Sequence, residues 1–310
     1  MYKVFIDGRE GTTGLEIYDR LGKRDDIQLL VIDEDKRKDV NERKKLINSA
    51  DIVFLCLPDA AAIEAVSLAE NPNTRFIDAS TAHRTAPGWA YGFPELSKKH
   101  RHAVETGRFV ANPGCHASGF ISSVFPLRAM GIIPADCPIT CYSLTGYSGG
   151  GKKLISEYED ENRDKRHESC RIYGTNLSHK HLPEMKTVCG LEYEPLFSPI
   201  IGDYYRGMAT TRMLENRLLC GNPTAEDIRE RLAEYYKNEY FVQTAPFGGD
   251  EPVIYADTLA GTNFLRLIVC GNDRHTTVTA LFDNLGKGAS GAAVQNMNIM
   301  LGLDEKTGLI

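Results

Sequence analysis

No stretch of this 310-residue chain approaches the ~20 consecutive apolar residues needed to cross a bilayer. A basic excess is also missing: 36 Lys and Arg stand against 42 Asp and Glu, a formal net charge of −6 at pH 7. That balance offers no broad positive field for nucleic acid, although a small basic pocket for phosphates stays open to it. The eight cysteines, at 56, 115, 137, 141, 170, 189, 220 and 270, include no Cys-x-x-Cys. Cys137 and Cys141 have no paired His or Cys at zinc spacing, so no metal is expected. A signal peptide is not expected either, because Met1-Tyr2-Lys3-Val4-Phe5-Ile6-Asp7 meets an acidic residue and then a glycine too early. Scattered thiols without such a leader point to a reducing compartment, the cytoplasm. Internal repeats and low-complexity segments are absent from the pattern.

What is present is ordinary for a globular protein, 42% hydrophobic and 25% charged, at a length that suits two packed units. The first hundred residues alternate short apolar runs with helical patterns. Strands are predicted at Lys3 to Ile6, Ile27 to Ile32, Asp51 to Pro58 and Arg75 to Ala79. Helices are predicted up to Leu21, from Asp39 to Ser49, and from Ala60 to Ala69 with Asp59 as cap. Such short strand–helix connections imply a parallel sheet covered on both faces. After Pro113 and a helix from Cys115 to about Met130, longer alternating runs suit a mixed or antiparallel sheet: Thr140 to Thr145, Gly207 to Leu214, Phe264 to Cys270 and Thr276 to Phe282. A helix at Thr224 to Tyr236 interrupts them, and Asp160 to Glu168 reads as a solvated loop. The small-residue helix from Lys287 to Met297 reads as returning to the first domain. The expected division is therefore 1–114 with 286–310, and 115–285.

Behind the first strand stands Gly8-Arg9-Glu10-Gly11-Thr12-Thr13-Gly14-Leu15. Glycines permit a tight turn and close backbone approach, and the new helix aims free N–H groups at a pyrophosphate. Thr12 and Thr13 can add hydroxyl donors. A plain tight turn is the bland reading of three glycines; the strand before and helix after favour a dinucleotide. The end of the second strand leaves the nicotinamide cofactor open. Asp33 could accept from a ribose 2′-hydroxyl, as for NAD, while Lys36-Arg37-Lys38 could hold the 2′-phosphate of NADP.

Asn112-Pro113-Gly114-Cys115-His116 turns sharply into a helix, placing Cys115 in the first turn, where the positive end of the helix dipole stabilises a thiolate. The other seven cysteines read as small buried apolar groups. A thiolate that forms a thioester needs an acid/base partner. Candidates are His83, His116 (expected to leave the helix in another direction), and the pair in Ser178-His179-Lys180-His181-Leu182-Pro183-Glu184.

With these segments in hand the chain resembles the N-acetyl-γ-glutamyl-phosphate reductases, in their shorter, type 2 form. The resemblance runs through the glycine turn, Asp78-Ala79-Ser80-Thr81-Ala82-His83-Arg84, Tyr91-Gly92-Phe93-Pro94-Glu95-Leu96 and Asn112-Pro113-Gly114-Cys115. It continues through Ser148-Gly149-Gly150-Gly151-Lys152, His179 to Glu184, and Asp283-Asn284-Leu285-Gly286-Lys287-Gly288-Ala289. It implies an α/β fold class, a Rossmann-type parallel-sheet dinucleotide domain plus an α+β catalytic and oligomerisation domain. The implied activity is NADPH-dependent reduction of an acyl phosphate to a semialdehyde in arginine biosynthesis, in a homo-oligomer (dimer or tetramer). By the same resemblance Cys115 is the nucleophile and His181 the acid/base. Ser80, Arg84, Asn112, Lys152 and His179 contact substrate; Gly8, Gly11, Thr12, Thr13, Gly14, Asn284 and Gly288 contact the cofactor. Competing readings are another acyl-phosphate reductase, such as aspartate-semialdehyde dehydrogenase, a non-catalytic nucleotide sensor, and a metal hydrolase built on His179 and His181.

Overall fold

A computed structural model describes residues 1–249 and 253–310. Close contacts divide the chain into Met1–Pro113 with Ala289–Ile310, and Gly114–Gly288.

The first unit is built on six strands: β1 (Tyr2–Asp7), β2 (Ile27–Leu30), β3 (Ile52–Leu55), β4 (Arg75–Asp78), β5 (Ala90–Tyr91) and β6 (Phe109–Ala111). They lie in the order β2-β1-β3-β4-β6-β5, and each neighbouring pair is parallel. Helices α1 (Thr12–Leu21), α2 (Val40–Ser49), α3 (Asp59–Ser67) and α4 (Lys98–Thr106) connect them, and the late helix Gly291–Met300 joins the same unit. Ile-Val-Phe-Leu of β3 is buried throughout, as a central strand covered on both faces must be. Phe5, Ile47, Val53, Leu55 and Phe76 pack in one cluster, each burial contributing ~1.5–3 kcal/mol. The chain leaves β1 toward β2 on one side and β3 lies on the other, so the strand order reverses at β1. A crevice for ligands forms at the carboxyl ends of strands at such a reversal. Two local readings are corrected. β2 ends at Leu30, not Ile32, so Asp33 stands beyond the strand, before a 3₁₀ turn at Glu34–Lys36. Pro58, not Asp59, is the N-cap of α3; the Asp59 carboxylate instead accepts from the Thr81 amide (2.9 Å) and hydroxyl.

In the second unit the strands are β7 (Thr140–Gly146), β8 (Arg171–Ile172), β9 (Leu196–Gly202), β10 (Met208–Glu215), β11 (Val242–Thr244), β12 (Leu265–Gly271) and β13 (His275–Phe282). Their order is β11-β12-β13-β10-β7-β9-β8. The sheet is mixed: β7–β9 and β11–β12 run parallel, the remaining pairs antiparallel. Its helices are α5 (Cys115–Ala129), α6 (Gly151–Glu159), α7 (Leu182–Cys189) and α8 (Ala225–Tyr236). Thr224 caps α8 reciprocally with Asp227. Most of α5 is buried, which marks it as a core helix and not an amphipathic cover. It lies close on β10 because Gly119 has no side chain: a Cβ there would stand 2.4 Å from Thr210 Oγ1. The fully buried Arg212 fastens the same contact, Nη1 donating to the carbonyls of Gly119 (2.7 Å) and Thr210 (2.8 Å). All eight cysteines are free thiols, but Cys170 and Cys220 are exposed, contrary to their reading as buried apolar groups. Among the described residues no helix is long and apolar enough to cross a membrane.

Candidate active site

The turn after β1 shows which of its glycines the backbone requires. Gly8 has φ +87°, and a Cβ on it would stand 2.3 Å from the Cys56 carbonyl oxygen; one on Gly14 would stand 2.6 Å from that of Gly8. Gly11 is different: it is exposed, and a Cβ there would make only ordinary contacts, the nearest at 3.6 Å, so packing does not require glycine at this position. Gly11 is the N-cap of α1, no side chain caps the helix, and no acidic residue occupies its first turn. Thr12 Oγ1 is buried with no hydrogen-bond partner, and Thr13 is half-buried beside it. Unspent amides, a buried unsatisfied hydroxyl and an exposed glycine N-cap fit a pyrophosphate. Asp7, the last residue of β1, would repel such an anion. Arg43 balances it, Nη2 and Nε donating to Asp7 Oδ2 at 2.9 and 3.1 Å, while burial pushes the Asp7 carboxyl up from its usual range.

The segment after β4 is organised by Asp78, which is fully buried. It accepts from the amide and hydroxyl of Ser80 (2.8 and 2.7 Å), and its Oδ2 lies 2.6 Å from His83 Nδ1. The His83 ring stacks on Trp89 with centroids 4.0 Å apart. Arg84 spends Nε on the Asn112 carbonyl and Nη2 on that of Ala79, both at 3.1 Å. Asn112 donates to the Ala289 carbonyl (3.0 Å) and accepts from Asn296 (3.1 Å). Ser80, Arg84 and Asn112 therefore share one hydrogen-bonded corner of the first unit.

In the second unit Cys115 is the first residue of α5. The N-cap, Gly114, makes no side-chain cap, and no acidic residue follows in the first turn. The thiol residue is half-buried in an otherwise buried helix start. Glu184, also buried, accepts from the Gly114 amide (3.2 Å), tying the Pro-Glu of α7 to the turn that carries Cys115. Gly288 lies against it too: a Cβ there would stand 3.0 Å from Cys115 Cβ.

Three imidazoles gather behind this turn. The ring centroids are 4.7 Å apart for His179–His181, 5.4 Å for His116–His179 and 5.7 Å for His116–His181. The His116 ring thus lies against the histidine pair. Both its nitrogens are committed, Nδ1 to Ser143 Oγ at 2.8 Å and Nε2 to the Tyr173 hydroxyl at 2.7 Å. Burial pushes its pKa down to about 3, so the ring is neutral. Burial raises the Tyr173 phenol, and the charge of Cys115 acts in the same direction. His179 Nδ1 accepts from the His181 amide (3.2 Å), which disfavours a proton on that nitrogen. His181 itself is buried at the N-cap of α7. Among the described residues no three or more His, Cys, Asp or Glu side chains form a metal-binding group.

Lys152 and Asn284 stand elsewhere in this unit. Lys152 is exposed in the first turn of α6. Asn284 is buried, its Oδ1 accepting from the Gly207 amide and its Nδ2 donating to Ser148 Oγ, both at 2.9 Å. Glu184, Tyr173 and the Asp78–His83 pair were not singled out from sequence. The only signal for Glu184 was its place in the His-x-His-x-Pro-Glu segment.

Two family models match: semialdehyde dehydrogenase, NAD binding domain, over residues 3–104, and semialdehyde dehydrogenase, dimerisation domain, over residues 115–284. A protein from Nostoc sp. named N-acetyl-gamma-glutamyl-phosphate reductase 2 is 48% identical, with 99% of each chain covered. One of the same name from Pseudomonas putida is 46% identical over 96% of each. Aspartate semialdehyde dehydrogenase II from Vibrio cholerae shares the fold at a TM-score of 0.74 and 15% identity, covering 97% of this chain and 98% of that one. The aspartate semialdehyde dehydrogenase of Candida albicans, solved with NADP, does so at 0.70 and 16%, covering 97% and 98%.

Proposed function

Because the chain belongs to the N-acetyl-γ-glutamyl-phosphate reductase family of semialdehyde dehydrogenases, we propose that it reduces N-acetyl-γ-glutamyl phosphate with NADPH, through a Cys115 thioester, to the semialdehyde and phosphate. The observation that carries the mechanism is Cys115 at the uncapped start of α5, held by Glu184 through Gly114, with His179 and His181 gathered around the adjacent His116.

The Cys115 thiolate attacks the acyl carbon. Backbone amides at the start of α5 meet the developing oxyanion, phosphate departs, and a thioester remains. A nicotinamide dinucleotide held at the glycine turn by Gly8, Gly11, Thr12, Thr13 and Gly14 supplies hydride when bound. Reduction leaves an oxyanion on the former acyl carbon. His181 protonates it to the hemithioacetal and takes the proton back as the aldehyde departs, freeing the thiolate. The match to the family's His-x-His-x-Pro-Glu segment favours His181 for this step, both nitrogens of His116 being committed to Ser143 and Tyr173; His179 is left to contact substrate. Ser80, Arg84, Asn112 and Lys152 serve the substrate, Arg84 chiefly by shaping the loop it ties together. The dimerisation-domain match supports a homo-oligomer. Eight free thiols suit a reducing, cytoplasmic setting.

The test is the reverse reaction: phosphate-dependent reduction of NADP by N-acetylglutamate semialdehyde, compared with aspartate semialdehyde. Turnover of the acetylated substrate at least ~100-fold more efficient than of the other is expected. Preference for aspartate semialdehyde, or activity independent of phosphate, overturns the proposal.

A further inference from the structure

At the carboxyl end of β2 a cleft opens beside the glycine turn, lined by Arg9, Tyr18, Leu29, Leu30, Val31 and Ile32. Its floor is aliphatic, and its one cation comes from the turn itself. The Arg9 guanidinium lies over the Tyr18 ring, 4.9 Å from the centroid. A guanidinium stacked in this way keeps its in-plane N–H donors available for a forked contact with phosphate. The side chain is 32% exposed and reaches Glu10 only at 3.4 Å. In this fold the adenosine half of a dinucleotide runs from the pyrophosphate toward the end of the second strand. An apolar wall for a purine face with a cation at its rim suits an adenosine that carries a dianion.

The acidic residue that would argue for an unphosphorylated ribose is displaced. Asp33 lies three residues past the end of β2, with its side chain 72% exposed and paired with Lys36 at 3.2 Å. Its position past the strand end does not suit a ribose hydroxyl acceptor at the strand tip.

We infer that Arg9, braced on Tyr18, is the residue that recognises the adenosine 2′-phosphate of NADP(H), and that Asp33 is not a ribose ligand. This rests on the reading of the first unit as a dinucleotide site and deepens it to one cofactor.

Calorimetric titration of the full chain with NADP⁺, NAD⁺ and 2′,5′-ADP tests it without reference to turnover. The wild type is expected to bind NADP⁺ more tightly than NAD⁺, with 2′,5′-ADP competing. Arg9→Gln is expected to weaken NADP⁺ and 2′,5′-ADP by about 30-fold, the size of a lost charge-assisted contact, and NAD⁺ by less than about twofold. Arg9→Lys keeps the charge but not the fork, and falls between. It carries the test if the glutamine variant does not fold. Asp33→Asn is expected to leave NAD⁺ within about twofold. Equal loss of both nucleotides in Arg9→Gln, retained NADP⁺ preference, or a tenfold loss of NAD⁺ in Asp33→Asn overturns the inference while the dinucleotide reading stands. A wild type that prefers NAD⁺, or binds neither, overturns the NADPH reading itself.

Discussion

Three helices of this protein, α1, α5 and α6, begin behind a bare glycine N-cap, and the surroundings of two of them suit different anions. Both α1 and α5 start behind a glycine N-cap, take no side-chain cap and carry no acidic residue in the first turn. By contrast, α2 is capped by Asp39 and α8 by Thr224 with Asp227. An uncapped start leaves N–H groups and the positive end of the dipole available, which costs ~0.5–2 kcal/mol relative to a capped one. In α1 that start is half-exposed, with Gly11 at the surface, and suits a phosphate arriving from solution. In α5 it is enclosed by Glu184 and Gly288 and suits a thiolate that belongs to the chain. Identical backbone chemistry is therefore set to two tasks by what surrounds it, open space in one case and packed side chains in the other.

The largest expected effect separates the two starts outright. Cys115→Ser should lower phosphate-dependent turnover by roughly 10³-fold or more, while NADP⁺ affinity in a direct titration stays within about twofold. Comparable losses in both readouts would break the separation. Gly8→Ala is the reciprocal change. Its side chain would meet the Cys56 carbonyl at 2.3 Å in a left-handed conformation, so nucleotide affinity should fall at least ~10-fold. The rate of Cys115 alkylation by iodoacetamide, followed by peptide mass spectrometry, should stay within about twofold.

The enclosure of α5 is open to a milder test. Glu184→Ala leaves the Gly114 amide without its acceptor and should lower kcat about 10-fold with nucleotide affinity unchanged. Glu184→Gln keeps a carbonyl and should recover most of that loss. The price of the enclosure also shows as a pH dependence. His116 has a pKa held down near 3, against 6.5 when exposed, so between those values the unfolded chain binds more protons than the native one. Stability from this group is full above about pH 6.5 and is lost as pH falls toward 3, at up to ~1.4 kcal/mol per pH unit. His116→Asn should flatten the dependence of the urea midpoint on pH between 4 and 6.5. An unchanged slope would show that the buried imidazole does not contribute.

The difference between the two starts also explains what could be read from sequence. The glycine turn and the Pro-Gly-Cys turn are local: steric freedom, dipole and thiol lie within a few consecutive residues. The parallel alternation of the first unit was legible for the same reason, since β3 is a continuous apolar run, β1 and β4 carry shorter ones, and the connections between them are short. The enclosure of Cys115 was not. Glu184 meets Gly114 across 70 residues, and His116 meets Tyr173 across 57, contacts that no local periodicity reports. That the His116 ring meets the histidine pair was equally illegible, because Ser143 and Tyr173, which hold it there, lie far away in sequence. Asp59 was misread for a related reason. A short acidic side chain at a helix start is a good cap in isolation, but Thr81 presents a hydroxyl and an amide together and takes it.

The smallest expected effect is the most exacting, because the two states of the open start should respond with opposite signs. Thr12 Oγ1 is buried at the head of α1 and has no partner. Without nucleotide, that hydroxyl is a polar group removed from water without compensation, an unfavourable arrangement worth ~1 kcal/mol. Thr12→Val keeps the shape and removes the polarity, so the nucleotide-free protein should be as stable as wild type or more so, by up to ~1 kcal/mol in urea unfolding. With a dinucleotide present, the same hydroxyl gains a phosphate oxygen to donate to, and the variant should bind about fivefold more weakly. The added stability from saturating NADP⁺ should therefore be smaller in Thr12→Val than in wild type by the free-energy equivalent of that affinity loss. If the variant instead loses stability without nucleotide and binds NADP⁺ as wild type does, the hydroxyl is a structural element of α1. The open start would then rest on its backbone amides alone, as the enclosed start of α5 does.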